Sequence, residues 1–394
     1  MNNTSKLTET DLCVMCGMCL PQCPTYQLYQ TETESPRGRI ALMQAIEQKR
    51  IQPDRKALLH IDHCLGCLNC ETICPSRVPY GKLIDEFRDQ FNSSIKKPVI
   101  SRMTLRQVAR TNGINALAII ASKPAIKQLI QLTGSVSQLP GTELAQSPAS
   151  LRSLYPGAYS SLTQRRGEVS LFTGCSGTAF DHRSIEDAIF LLNQLRFDVH
   201  IADNQTCCGA LHQHNGQKQT ARELLSKSQA QLKQNTRSVL FFSPACGEQL
   251  QQIKDLSLID IRTFIFDQLQ LHPLKFSPPT KAIALHESCS HRNRLKLKDL
   301  NFDLLNCVAE LQIIKSDNPS LCCGAGGIQS INYPQQAKAL LKGKLASFDF
   351  SQANILISDN IGCSMHIKTA ISAYNPAIEV MHPVSFLARQ FNQK

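Results

Sequence analysis

Cys13, Cys16, Cys19 and Cys23 are followed by Pro24, and Cys64, Cys67, Cys70 and Cys74 by Pro75. Both runs have the spacing C-x2-C-x2-C-x3-C-P. Thiolate is the metal-binding form of cysteine, so each run can gather four sulfurs around a metal. Zinc would take four of them as paired C-x2-C knuckles. Two four-cysteine runs, each closed by proline, are better explained by iron–sulfur clusters. Pro24 and Pro75 turn the chain away without adding an amide donor.

This spacing resembles that of bacterial two-cluster ferredoxins. The resemblance implies two [4Fe–4S] clusters with exchanged fourth ligands. Three cysteines on one tight loop reach three corners of a cube, and the fourth begins a helix too far away and serves the other cube. Cys13, Cys16, Cys19 and Cys74 then hold one cluster, and Cys64, Cys67, Cys70 and Cys23 the other. Between the runs, Ser35-Pro36-Arg37-Gly38-Arg39-Ile40 predicts an N-cap and Pro at N1, opening a helix to about Lys49. Arg37 and Arg39 are either a solvated helix start or cations that tune a cluster or dock a partner.

The other cysteines are widely spaced and repeat. Phe172-Thr-Gly-Cys175 matches His286-Glu-Ser-Cys289, Cys207-Cys208-Gly209 matches Cys322-Cys323-Gly324, and Ser243-Pro-Ala-Cys246 matches Asn360-Ile-Gly-Cys363. Near-constant offsets at chemically identical residues indicate one duplicated domain. Val169–Phe172, Val239–Phe242, Lys281–Leu285 and Ile355–Ser358 read as short buried strands, each running into a cysteine. Ser184 to Arg196 is helical in pattern, with Ser184 as N-cap and Asp187 at N3. Strand, helix, strand with cysteines at strand ends describes α/β units, whose chemistry sits at the carboxyl ends of parallel strands.

The pattern C-x31–38-CCG-x33–38-C resembles the cysteine-rich CCG domain of heterodisulfide reductase-type subunits. A two-cluster ferredoxin followed by two CCG domains resembles the iron–sulfur subunit of glycolate oxidase (glycolate dehydrogenase). Ser-Pro-Arg-Gly-Arg-Ile and Asn360-Ile-Gly-Cys363-Ser-Met-His366 carry the same likeness. It implies an electron-transfer subunit that is inactive on substrate alone. An FAD-containing partner would oxidise glycolate to glyoxylate, and electrons would pass to a membrane acceptor such as quinone. Lactate and anaerobic glycerol-3-phosphate dehydrogenases share the architecture. Heterodisulfide reductase units close in C-x2-C, whereas Gln249 and His366 stand in the last place here. Four cysteines per copy (Cys175, Cys207, Cys208, Cys246; Cys289, Cys322, Cys323, Cys363) could still hold a further cluster or act as redox thiols. His366 is a candidate ligand or proton carrier. His212, His214 and His291 are weaker candidates, and Cys307 beside Leu304, Leu305 and Val308 is a packing residue.

Residues 91–167 contain ten Lys/Arg and one acid, Glu143, and hold most of the formal net charge of +11. Two clusters of charge −2 would lower that net charge to +7. Lys96, Arg102, Arg106, Lys123 and Lys127 accompany Ala125, Ile126, Leu129 and Ile130 at helical spacing, a pattern that suits an acidic partner or anionic lipid. The absence of Trp and the 6% aromatic content argue against a nucleic-acid partner. No flavin fingerprint appears, because Gly324-Ala-Gly-Gly327 follows a cysteine pair rather than opening a nucleotide site. The polar start MNNTSKLTETD is unlike a secretory signal, and the seventeen cysteines then read as reduced thiols in a cytoplasmic protein, with peripheral contact at the inner face of the membrane. The expected fold is multidomain, α+β and α/β: a helical bacterial-ferredoxin-like domain (1–95), a basic helical linker (96–167), and two CCG domains (168–277 and 278–394).

Overall fold

The computed structural model describes residues 7–110, 156–161, 164–203, 205–234, 238–375 and 377–391. Lys123, Lys127 and the apolar positions between Ala125 and Ile130 lie outside them. Three units follow one another: a helical N-terminal domain and two α/β domains, here copy one and copy two.

Before residue 111 every described regular element is helical. The helix Pro36–Glu47 begins as its sequence requires, with Ser35 Oγ accepting the Gly38 N–H at 2.9 Å and Pro36 at N1. Ile40, Met43 and Ile46 point inward from it at helical spacing. Asp54 caps the helix Arg55–Asp62, which buries Leu58 and Ile61. Tyr80–Gln90 buries Tyr80, Leu83, Ile84 and Phe87 along one stripe. These stripes form one small core, from whose edges the two cysteine loops hang.

Copy one has β1 (Gly157–Tyr159), β2 (Gly167–Phe172), β3 (Phe197–Ile201), β4 (Ser238–Phe241) and β5 (Leu258–Asp260), in the order β1-β3-β2-β4-β5. Only β1 is antiparallel. Copy two has β6 (Ala282–His286), β7 (Ile313–Lys315), β8 (Ala353–Ser358) and β9 (Glu379–Met381), all parallel, in the order β7-β6-β8-β9. The two four-strand orders are the same, as duplication requires. The sheet of copy one reaches back to Gly157, inside the stretch expected to be linker, because β1 pairs with β3. The linker's own described helix is Val99–Val108.

The helix expected from Ser184 starts earlier, at His182, and runs to Gln194. Ser184 donates instead to the Asp181 side chain at 2.6 Å, so that pair stands where a simple cap was expected. Ile185, Ala188, Ile189 and Leu192 are buried on it as the pattern indicated.

The copies pack reciprocally. The helix His182–Gln194 of copy one lies on Pro383–Gln390 of copy two, and Ile261–Leu271 of copy one lies on Leu300–Leu305 of copy two. A single apolar core runs through both sheets. At its edge Arg262 is fully buried, donating to Asp260, to Asn301 at 2.9 Å and to Asp359 of the other copy at 2.6 Å. His291 meets the same Asp359 at 2.8 Å. Arg262→Met strips Asp260 and Asp359 of their cation while they stay buried. It should cost about 3 kcal/mol or more, read as a lowered urea midpoint of the full chain. A loss under about 1 kcal/mol would show that this network does not tie the copies together.

Candidate functional site

The two ferredoxin-type loops wind alike. Met15 and Gly17 in the first, and Gly66 and Leu68 in the second, have φ between +56° and +85° at matching positions. Left-handed residues at alternate positions curl the loop, so that its three cysteines face one side. Met15 and Leu68 adopt this conformation without glycine's freedom, a strain that the surrounding contacts must hold.

Cys13, Cys16 and Cys19 line one pocket with Cys74; Cys70, Arg37 and Tyr80 also border it. Cys67 and Cys70 feel the charges of Cys23 and Cys64. Burial, and then the charge of Cys289 on Cys67 and of Cys67 on Cys70, push both thiols far up. These eight residues fit two thiolate-bound clusters. Arg39 is 1% exposed and donates to Glu34 at 2.6 Å, to Thr25 at 2.9 Å and to Cys23 Sγ at 3.9 Å. Tyr80 Oη donates to Cys64 Sγ at 3.6 Å. Arg37 holds the first loop through the Met15 carbonyl at 2.8 Å. Both arginines of the Ser-Pro-Arg-Gly-Arg-Ile segment therefore face the cysteine loops.

The loops differ in their surroundings. Cys16 is exposed, beside Val14, Met15 and Met18, which are 68%, 45% and 49% exposed. Cys64, Cys67 and Cys70 are buried, and Cys67 lines a pocket with copy two. There a single π-turn, Ser290–Arg294, follows Cys289 and aims three successive side chains at the second loop. Arg294 donates to the Gly66 carbonyl and Asn293 to the Cys67 carbonyl, both at 2.7 Å, and Arg292 reaches Asn69 at 2.9 Å. Gln329 and Gln336, also from copy two, take the Asp62 and His63 carbonyls at 2.7 and 3.0 Å.

Within each copy the three cysteine elements converge at the carboxyl ends of the strands. The order reverses at β2 in copy one and at β6 in copy two, and that crevice is where such sheets place ligands. Gly209 and Gly324 make the CCG turn possible, with φ of +89° and +80° and no space for a Cβ against the Ala221 and Ala337 carbonyls. In copy one, Cys175 and Cys207 lie 3.6 Å apart and share a hydrogen bond that holds Cys175 up and Cys207 down in pKa. Val108 of the linker packs with this pair. In copy two, Cys323 and Cys363 are 3.0 Å apart. A pocket there is lined by Cys289, Cys322, Cys323 and Cys363 and by Cys67 of the second ferredoxin-type loop.

His366 Nδ1–H donates to the Cys323 carbonyl at 2.8 Å, so it positions the cysteine turn. The histidine that gathers with Cys323 and Cys363 is His286, the last residue of β6. It stood in the sequence as the partner of Phe172 in the repeat, and that mismatch was the available signal. Burial, and then Lys344, lower its pKa to about 3, leaving a neutral ring. Lys344 is itself lowered to about 8, by burial and then Arg292. His212 bonds Gln217 at 2.6 Å, His214 bridges Asp85 and Glu248, and Cys307 packs against the shared core.

Residues 9–78 match the family described as 4Fe-4S dicluster domain, and residues 169–251 and 283–368 each match the cysteine-rich domain. The chain is 27% identical to the probable glycolate oxidase iron–sulfur subunit of Bacillus subtilis, over 91% of this chain and 88% of the relative. It is 28% identical to the glycolate oxidase iron–sulfur subunit of Escherichia coli, over 94% and 93%. Lactate utilization protein A 2 of Bacillus cereus is 24% identical over 57% of this chain and all of its own length. The resemblance read from the cysteine spacing is borne out.

Gly324→Ala combines a strained φ with a Cβ 2.5 Å from the Ala337 oxygen. It should lower stability by about 1–3 kcal/mol and increase the reactivity of the copy-two thiols. Gly343→Ala, where a Cβ meets nothing within 4 Å in the helix Pro334–Ala346, should be neutral or stabilising by about 0.5–1 kcal/mol. Equal thermal shifts for the two variants would contradict the role given to the turn.

Proposed function

We propose that this chain is the iron–sulfur electron-transfer subunit of a complex whose flavoprotein partner oxidises glycolate to glyoxylate. One observation carries the reading: two four-cysteine sites lie side by side, one opening at the surface at Cys16 and the other buried against a cysteine pocket in copy two. The names of the Bacillus subtilis and Escherichia coli relatives point to glycolate.

Cys13, Cys16, Cys19 and Cys74 hold one [4Fe–4S] cluster, and Cys64, Cys67, Cys70 and Cys23 the other. Bound there, each supplies a one-electron acceptor. The chain sets the surroundings of the sulfurs. Arg39 and Tyr80 donate to Cys23 and Cys64 and stabilise negative charge at the second site. The first site is left open beneath Val14, Met15 and Met18, where a redox partner can come close. The flavin belongs to the partner, because the chain has no fingerprint for it.

Among the described residues no helix is long and apolar enough to cross a membrane. The final acceptor is a membrane quinone, reached from the cytoplasmic side with the chain held peripherally. Arg102 and Arg106, on the exposed side of the helix Val99–Val108, suit that contact, while Ser101, Leu105 and Val108 are buried. Lactate is the second reading, supported by the Bacillus cereus relative. A heterodisulfide-type thiol function is less well supported, since each copy offers four sulfurs rather than five.

The test is anaerobic reduction of the chain in complex with its flavoprotein. Glycolate should develop the reduced-cluster EPR signal, with lactate about tenfold slower or worse, since one added methyl is worth about that much in a fitted pocket. Faster reduction by lactate would move the assignment to that substrate. No reduction by either, with both clusters present, would remove the 2-hydroxy acid reading.

A further inference from the structure

We propose that Glu34, His60 and His63 form a binding site for one divalent first-row metal ion of the zinc class, separate from every cysteine site. The site lies in the N-terminal domain, and it goes beyond the electron-carrier reading without depending on it.

Three donors meet at one point. Glu34 Oε1 lies 2.7 Å from His60 Nδ1 and 2.8 Å from His63 Nδ1. All three atoms lie within 4.8 Å of one another, and one other such group occurs among the described residues, on copy two. Oε1 is left for an ion because Arg39 takes the other carboxylate oxygen, Oε2, at 2.6 Å. Two imidazole nitrogens and a carboxylate oxygen are a donor set that zinc and iron(II) accept, with the remaining positions open to water. The set contains no sulfur, so its chemistry differs from that of the clusters.

Local structure puts the donors there. His60 lies in the last turn of the helix Arg55–Asp62, and His63, three positions on, is its C-cap, so both rings leave one face. Glu34 closes the short turn Glu32–Glu34, directly before the Ser35 cap of the next helix. Neighbours fix the rings. Arg39 Nε donates to the His60 carbonyl at 2.7 Å, Tyr29 stacks on the His63 ring, and Tyr333 meets that ring edge-on. The Glu34 side chain is 4% exposed, whereas those of His60 and His63 are 22% and 15% exposed. The carboxylate thus sits at the bottom, and the two rings form a rim through which an ion can enter. An ion held here would tie the segment after Cys23 to the start of the second cysteine loop. The Glu34 carbonyl already accepts from Thr25 at 2.9 Å, and His63 directly precedes Cys64.

The experiment uses the full-length chain, purified anaerobically with its iron–sulfur clusters, treated with EDTA and then titrated with Zn²⁺. Binding is read by calorimetry. The zinc ligands are read by X-ray absorption at the zinc edge, which iron does not obscure. A zinc ion should bind with a shell of nitrogen and oxygen, with imidazole scattering and no sulfur. His63→Phe keeps a ring between Tyr29 and Tyr333, and His60→Gln keeps a polar side chain at a partly exposed place. Each should weaken this binding about tenfold or more and reduce the imidazole scattering. Either variant alone is decisive, so one that fails to fold leaves the other as the test. No zinc bound by the wild type, zinc with sulfur ligands only, or a nitrogen and oxygen shell and affinity unchanged in a folded variant would each overturn the proposal.

Discussion

The loop from Asp62 to Cys70 has little regular structure of its own, yet it is buried, and the rest of the molecule is arranged around that fact. Buried carbonyls without partners are costly. Helices and strands pair their own, whereas this loop must borrow donors. It takes them from Arg88 in its own domain and from Asn293, Arg294, Gln329 and Gln336 in copy two. The three cysteines on it are therefore fixed by another domain's side chains. The ferredoxin-type part is one body with copy two, and that contact sets the spacing between its second site and the copy-two pocket.

Duplication explains how such a partner arose within one chain. Each copy is an α/β unit whose strand order reverses at its first parallel strand, and the crevice this leaves is where its cysteines meet. The copies then bury matching helices against each other, closing a shared core. Once paired, they need not remain equivalent. Copy one turns its cysteines toward Phe172 and Val108, and copy two turns its own toward the second ferredoxin-type loop, with a histidine, a lysine and an arginine alongside.

Much of this was legible in the residues. The eight tightly spaced cysteines, the repeat and the four strands that run into cysteines are local patterns, and local patterns survive folding. The Ser35-Pro36 helix start was equally plain. The start of the helix at His182 was not, because Asp181 and Ser184 bond each other, and sequence cannot say which of two cap-forming residues takes the cap. β1 is not legible in the sequence, because three residues paired with β3 carry no periodicity. Helical spacing places His366 near Cys363 and so points to it rather than to His286. The tertiary fold instead turned His366 to the Cys323 carbonyl and brought the end of β6 to the sulfurs. The π-turn and its clamp on the second loop were invisible, since they join residues more than 220 positions apart.

The clamp holds the second loop in place, and Asn293→Ala addresses it most directly. The change removes the donor to the Cys67 carbonyl and to Asn69, at 2.7 and 2.6 Å, without touching a cysteine. The measurement is the rate at which each ferredoxin-type EPR signal is lost on exposure to air in the full-length chain. An unsatisfied buried carbonyl costs about 1–3 kcal/mol, so the signal from the Cys64–Cys70 loop should decay about tenfold faster. The signal from the exposed Cys13–Cys19 loop should keep its wild-type rate. The same fold-change in both rates relative to wild type, or no change in either, would contradict it.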